Sequence, residues 1–524
     1  MSFSYDALNE PWIPVELADG SACSLSLLGA LERAHEIRTI RAPTPPANQG
    51  IHRLLIAFAL DAFRPPDVDA IGDLVARGQF DGGELHRYVD QCRSEGVSFD
   101  LFDERRPFLQ SAFPPEDLDS QLVVQIFLEI PGGNNHIHFR HENEADHTFT
   151  PAECLTALTQ LAPFALMYGR SASFSINGVP PTYLLYGGRT LFETLALSLV
   201  PLERCDLEGP PVAWRDFSPV PEGGQAVRAS VLSGLTAQPR RVQLIPEESE
   251  GKAVVRRIRY QKGYDYKGLT YLDPYVVHYE DDKGAWRALT PREDRALWRD
   301  LGALVNPKAK CGLRDVLDIT MDALPDRPSA VPLKATGLVT RQKGATRAAI
   351  EWSEEDLPLR AYLFRDADKA AFFQAMLGLM ENAAGCLASV MRKPLKSLRG
   401  EKAGKKAAGL FASLADEAKL LCLSRCHACV NDRFFSALEA CDFARFEDEQ
   451  ALRDAFVKEI RKCALDVFQQ YARRVQASAV ALEWQATAEK SLRAMLGKVL
   501  KGGRPNDSGA GQGDDERDQP ADQG

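Results

Sequence analysis

The spacing of apolar residues divides the chain into two differently patterned stretches. In residues 1–365, short apolar runs alternate with turns and modest helices. Leu122–Ile130 (LVVQIFLEI) and Thr182–Tyr186 (TYLLY) read as strands, as do Arg241–Ile245 and Val254–Tyr260. Ile51–Phe63 and Pro151–Tyr168 carry apolar residues three and four apart, which predicts helices. Most of the 32 prolines fall in this stretch and cut it into short elements. The pattern is that of a large, irregular mixed α+β domain, not an alternating βαβ fold.

Residues 366–501 are patterned for helices. Ala367–Val390 carries Phe372, Phe373, Met376, Leu377, Met380 and Leu387 as an apolar stripe. Lys406–Leu421, Asp432–Asp442, Asp448–Val475 and Ala477–Leu500 follow. Pro394, Gly400 and Gly404 interrupt the pattern between the first two. Long helices with short connections predict a C-terminal antiparallel four-helix bundle. Residues 502–524 have almost no apolar side chains to offset ordering entropy, so an acidic disordered tail is expected.

Composition sharpens this outline. The 524 residues, 45% apolar and 26% charged, suit a globular chain with one large core and a smaller satellite. No run approaches the ~18 apolar residues of a membrane span, and the N-terminus lacks a signal-peptide pattern. Eleven irregularly spaced cysteines suit a reducing cytoplasm. The net charge of -10 argues against a simple nucleic-acid binder. The charge is uneven, however. Residues 366–501 hold 22 Lys and Arg against 17 Asp and Glu. Arg392–Lys406 alone has seven bases and one acid, at a turn between two helices. Such a turn suits a phosphate backbone, through Arg392, Lys393, Lys396 and Arg399, or is simply a solvated loop.

Three sets of residues carry candidate chemistry. His136, His138 and His141 sit two and three residues apart. On a strand, His136 and His138 share a face, as a metal-dependent hydrolase would need; the alternative is a polar loop after the glycine-rich PGGNN. Cys422, Cys426 and Cys429 share a face of a helix and read as a bundle-core stripe rather than half a zinc site. No Walker loop, helix-opening GxGxxG, GxSxG or HExxH is present, and Glu354, Glu355 and Asp356 read as solvated surface, so no enzyme is expected. The third set is three polar loops: 169–178 (GRSASFSING), 260–267 (YQKGYDYK) and 340–347 (TRQKGATR), the last a hairpin tip. Each reads as an ordinary turn alone; together they favour nucleic acid.

Three motifs then carry a resemblance: Asn9–Val15 (NEPWIPV), Phe99–Gln110 (FDLFDERRPFLQ) and Gln238–Leu244 (QPRRVQL). With the domain order, they resemble the CasA family, the large subunit of the type I-E CRISPR surveillance complex Cascade. The resemblance spans about residues 5–500. It implies a non-catalytic subunit of an antiviral RNA-guided complex. Such a subunit reads a short PAM in double-stranded DNA from the minor groove, starts R-loop formation and docks a trans-acting helicase–nuclease. Its partners are the other Cascade subunits with their crRNA, and the target DNA.

Carried over by position, the resemblance assigns Gly169 to a glycine loop, with Arg170 beside it. It makes Lys262, or nearby Lys267, the lysine finger, and Gln342 a wedge flanked by Arg341 and Lys343. It places Asn134 and Asn135 near the crRNA handle. Leu166, Tyr168 and Arg170 stand where other members have glycine, which leaves the PAM preference open. The paired zinc cysteines of some members are absent, so neither metal nor cofactor is expected.

Overall fold

A computed structural model describes residues 3–114, 119–130, 147–166, 175–205, 208–220, 224–293, 295–306, 308–320, 330–343, 346–393, 404–474 and 479–501. The chain divides into two compact units, Met1–Ala361 and Tyr362–Gly524.

The strands of the first unit are β1 (Ile13–Leu17), β2 (Ala22–Leu25), β3 (Ile37–Ile40), β4 (Gln121–Leu122), β5 (Tyr183–Tyr186), β6 (Arg240–Ser249), β7 (Lys252–Lys262), β8 (His278–Glu280), β9 (Trp286–Ala288), β10 (Ala330–Lys343) and β11 (Thr346–Arg360). They form small antiparallel sheets ordered β2-β1-β3, β4-β7-β6, β8-β9 and β11-β10-β5. Its helices are α1 (Leu27–Glu32), α2 (Pro45–Phe63), α3 (Val68–Arg77), α4 (Gly82–Ser94), α5 (Pro151–Thr159), α6 (Leu161–Phe164), α7 (Leu191–Ala196), α8 (Val231–Leu235), α9 (Leu301–Val305) and α10 (Gly312–Thr320).

Helix α2 is the centre of this unit. Thr44 caps it, with its hydroxyl accepting from Ala47 N at 3.3 Å, and Pro45 starts it without losing a hydrogen bond. Ile51, Leu55, Ile56, Ala57, Phe58, Ala59 and Leu60 are fully buried, so apolar residues line α2 on every side, as in a core helix. Two of its buried charged side chains, Arg53 and Asp61, meet partners from distant segments. Arg53 Nη2 lies 2.8 Å from Asp273 Oδ2 with both side chains inaccessible, and Asp61 accepts from Tyr88 Oη at 2.8 Å and from Arg215 Nη1 at 2.9 Å.

Three sequence expectations need correction. Only Gln121–Leu122 of the run 122–130 and its neighbour pair as a strand; Val123–Ile126 form a 3-10 turn. A short apolar run without alternation does not distinguish the two. The helix expected over 151–168 breaks into α5 and α6 at Gln160. Glu355 is not a solvated carboxylate: it accepts from Leu297 N at 2.9 Å and Trp298 N at 3.0 Å, satisfying two amides at the start of the turn Leu297–Asp300.

The second unit holds α11 (Tyr362–Arg365), α12 (Ala367–Met391), α13 (Gly404–His427), α14 (Asp432–Ala440), α15 (Phe446–Ala472) and α16 (Ala479–Val499). Phe372, Phe373, Met376, Leu377, Met380 and Leu387 are buried on α12, as their spacing predicts. Trp484, near the start of α16, sets the direction of the long helices. Its ring lies 5.7 Å from Phe411 near the start of α13 and 6.2 Å from Phe468 near the end of α15. Its Nε1 donates to Lys393 O, just past α12, at 3.1 Å. The ends of α12 and α15 therefore meet the starts of α13 and α16, so α12, α13, α15 and α16 run as an antiparallel bundle. Cys422 and Cys426 are buried in it, whereas Cys429 lies past the end of α13 and is half-buried. Among the described residues, no helix is long and apolar enough to cross a membrane.

Candidate nucleic-acid interface

The antiparallel pair β10–β11 forms a long hairpin in register from Ala330↔Arg360 to Lys343↔Thr346, with a bulge after Val339. Its lower part is largely apolar and buried: Val331 and Leu333 pair with Leu359 and Leu357, and Ala335, Leu338 and Val339 are buried beside them. Beyond the bulge the character changes, and Arg341 and Gln342 are exposed at the tip. Arg341 is ion-paired with Glu293. Lys343 sits at the last paired position, opposite Thr346.

The second hairpin, β6–β7, ends with Lys262 opposite Arg240. Lys262 Nζ lies 3.0 Å from Asp265 Oδ2, and both side chains are about a quarter exposed. Asp265 also accepts from Lys267 N at 3.0 Å, which shapes the turn carrying exposed Lys267. Gly263 makes the chain's return possible. A Cβ there would stand 2.3 Å from Gln238 O, and Gly263 N donates to Pro239 O at 3.1 Å. Tyr264 N in turn donates to Gln238 O at 3.1 Å, so the Gln238–Arg241 motif cradles the turn after Lys262. Burial raises the phenol pKa values of Tyr264 and Tyr266.

The described residues on either side of 167–174, Leu166 and Ser175, are pinned. Ser175 N donates to Ala165 O at 3.0 Å. Leu166 packs in a cluster with Phe164, Tyr183, Leu338 and Ala349, the last two being hairpin residues below the β10–β11 tip. Ile176 packs with Ala237 and Tyr266, beside the Lys262–Lys267 turn. Arg240 adds a polar tie: Nη2 donates to Leu166 O at 2.5 Å and Nε to Tyr260 Oη at 2.9 Å. Asn177 Nδ2 reaches both Tyr183 Oη at 3.1 Å and Asp273 Oδ2 at 2.8 Å. One frame therefore holds the flanks of 167–174, the turn with Lys262 and Lys267, and the β10–β11 hairpin. The sequence motif QPRR contains Arg240, but only the fold shows what that arginine bridges.

In the second unit, Arg392 is exposed and ion-paired with Asp416; Lys393 is exposed. Gly169, Arg170, Asn134, Asn135, His136, His138, His141, Lys396 and Arg399 lie outside the described residues. Among the described residues, no group of three or more His, Cys, Asp or Glu is arranged to hold a metal ion.

Comparison with known proteins agrees with this architecture. The family model of the CRISPR-associated protein Cse1 matches residues 6–494. The CRISPR-associated protein CasA/Cse1 of Thermus thermophilus is 28% identical over 515 residues, spanning 94% of this chain and 98% of that protein. A structure of Thermus thermophilus CasA (Cse1) superposes with a TM-score of 0.75 at 25% identity, over 94% of this chain and 99% of the other. A chain of a CRISPR RNA-guided surveillance complex superposes with a TM-score of 0.68 at 19% identity, over 94% and 99%. With a family match over nearly its whole length, the chain belongs to the CRISPR-associated Cse1 family.

Proposed function

We propose that this chain is the DNA-recognition subunit of a type I-E CRISPR RNA-guided surveillance complex. It reads the PAM in duplex DNA, starts strand separation and docks a trans-acting helicase–nuclease. It does no chemistry on the DNA itself. The observation that carries this reading is the shared frame: one pair of core clusters supports the flanks of the segment with Gly169, the turn with Lys262 and the hairpin with Gln342.

The chemistry fits each role. The minor groove offers acceptors on every base pair and an amino donor on guanine. Lys262 Nζ donates to such an acceptor once it leaves Asp265. Backbone at Gly169 approaches closely for want of a Cβ, and Arg170 adds a charge beside it. Gln342, on a hairpin stiffened by a buried lower half, inserts beneath the last PAM pair, with Arg341 and Lys343 on the flanking phosphates. Opening a step costs a few kcal/mol, which the PAM contacts offset before guide pairing takes over. Asn134 and Asn135 approach the crRNA handle, and the turn with Arg392, Lys393, Lys396 and Arg399 holds a separated strand electrostatically.

The test is assembly with and without this chain. The complete complex should retain a PAM duplex at least tenfold better than a duplex with a scrambled PAM. A complex lacking the chain should lose that ratio. An unchanged ratio would transfer PAM reading to another subunit.

A further inference from the structure

The bundle contains a cluster of thiols that the DNA-reading role leaves unused. Cys422 and Cys426 on α13, Cys429 in the turn after it, and Cys463 on α15 come together across two helices. Cys429 Sγ and Cys463 Sγ are 3.9 Å apart, both on half-buried residues. Cys422 and Cys426 are fully buried. The cluster is not arranged as a metal site. Its surroundings instead favour one thiolate. Cys463 lies in hydrogen-bonding contact with the thiols of Cys426 and Cys429, and these contacts, with the positive charge of Arg425 and Lys462, lower its pKa below that of a free thiol. Cys429 moves the opposite way, raised by its hydrogen bond to Cys463 and by burial. Arg425 is held in place by its hydrogen bond to Gln470 Oε1 on α15 at 2.6 Å.

We propose that Cys463 and Cys429 form a peroxide-sensitive thiol pair that closes to a disulfide between α15 and the turn after α13. The Cys463 thiolate attacks hydrogen peroxide: an S–O bond forms, the O–O bond breaks, and hydroxide leaves. The Cys429 thiol gives its proton to that hydroxide, and its sulfur attacks the sulfenic acid. The S–S bond forms, the S–O bond breaks, and the sulfenic oxygen departs as water after protonation. Two thiols and one peroxide thus yield one disulfide and two waters. An S–S bond is ~2 Å long, so the sulfurs must approach from 3.9 Å by side-chain rotation. Cys463 is the nucleophile because its thiolate is the stabilised one, and Cys429 resolves because it is in contact and accessible.

The full-length chain should be treated with limiting hydrogen peroxide, digested with trypsin without reduction and mapped by mass spectrometry. The expected product joins the peptide Cys426–Arg433 to Cys463–Arg473 with loss of two hydrogens, and fragmentation places the bond on Cys429. The exposed Cys23 is the internal reference: Cys463 should be alkylated several-fold faster than Cys23 at neutral pH. Cys429→Ser should stop at a sulfenic acid on Cys463 that dimedone captures. The wild-type map needs no variant and stands even where that substitution unfolds the bundle. Peroxide that oxidises Cys23 while leaving Cys429 and Cys463 as thiols would overturn the proposal. So would stoichiometric zinc in the purified chain that Cys463→Ser releases, which would assign the cluster to a metal.

Discussion

Lys262 Nζ sits 3.0 Å from Asp265 Oδ2, at the open end of the β6–β7 hairpin, on the turn where the chain leaves β7. The pair is partly exposed, so breaking it costs no more than about 1 kcal/mol. A lysine held this loosely is oriented yet free to exchange its carboxylate for a base edge. Lys262→Ala should weaken binding of the assembled complex to PAM duplex by roughly 1–3 kcal/mol and leave scrambled duplex nearly unaffected. Equal losses on both duplexes in a gel-shift titration would make Lys262 a phosphate contact only.

The frame beneath that turn depends on a buried ion pair. Arg53 and Asp273 are both inaccessible, and Asp273 also accepts from Asn177 and from Tyr275 N. Asp273→Ala strands a buried guanidinium and should cost about 3–5 kcal/mol. Denaturant unfolding of the free chain checks this; a loss below about 1 kcal/mol would show that water reaches Arg53.

Acid should find a second weak point on the same helix. His52 is buried on α2, with Nδ1 2.8 Å from Asn48 O. Burial lowers its pKa from 6.5 to about 4, with Lys334 adding repulsion. The unfolded chain takes up a proton as pH falls through 6.5, whereas the folded chain resists until about pH 4. The stabilisation is therefore present above pH 6.5 and is lost between 6.5 and 4. From about pH 7 to about pH 5 this amounts to about 2 kcal/mol. His52→Gln should flatten the pH dependence of unfolding by that amount; an identical slope would mean His52 titrates normally.

The basic run Arg392–Lys406 should act without regard to DNA sequence. Neutralising Arg392, Lys393, Lys396 and Arg399 should weaken PAM and scrambled duplex alike. It should also lower the slope of log K against log salt by ~0.9 for each phosphate that is no longer neutralised. Arg392 already pairs with Asp416, so its share should be the smaller one. An unaltered slope would leave the run as solvated surface.

Much of the bundle was legible in the sequence because α12 writes its buried stripe in plain helical spacing. The hairpin β10–β11 was legible only at its tip. Its second strand reads TRAAIEWSEEDLPLR, where an acidic run and a proline hide fourteen paired residues, and Glu355 is polar because it caps a turn elsewhere in the fold. Lys262, Lys267, Arg341, Gln342 and Lys343 were reached through family resemblance, since an exposed lysine or glutamine carries no signal in its own spacing. Arg240 and Gly263 were not singled out, because their roles exist only when Leu166, Gln238 and Lys262 meet in space.

Opening of the duplex by the hairpin tip is isolated by one measurement. R-loop formation by the assembled complex should be followed on linear PAM-containing target, once fully paired and once with the first base pairs beyond the PAM mismatched open. Gln342→Ala should slow R-loop formation at least tenfold on the paired target and restore near wild-type rates on the opened one. Wild-type rates on the paired target, or an equal defect on both, would contradict a wedge at Gln342.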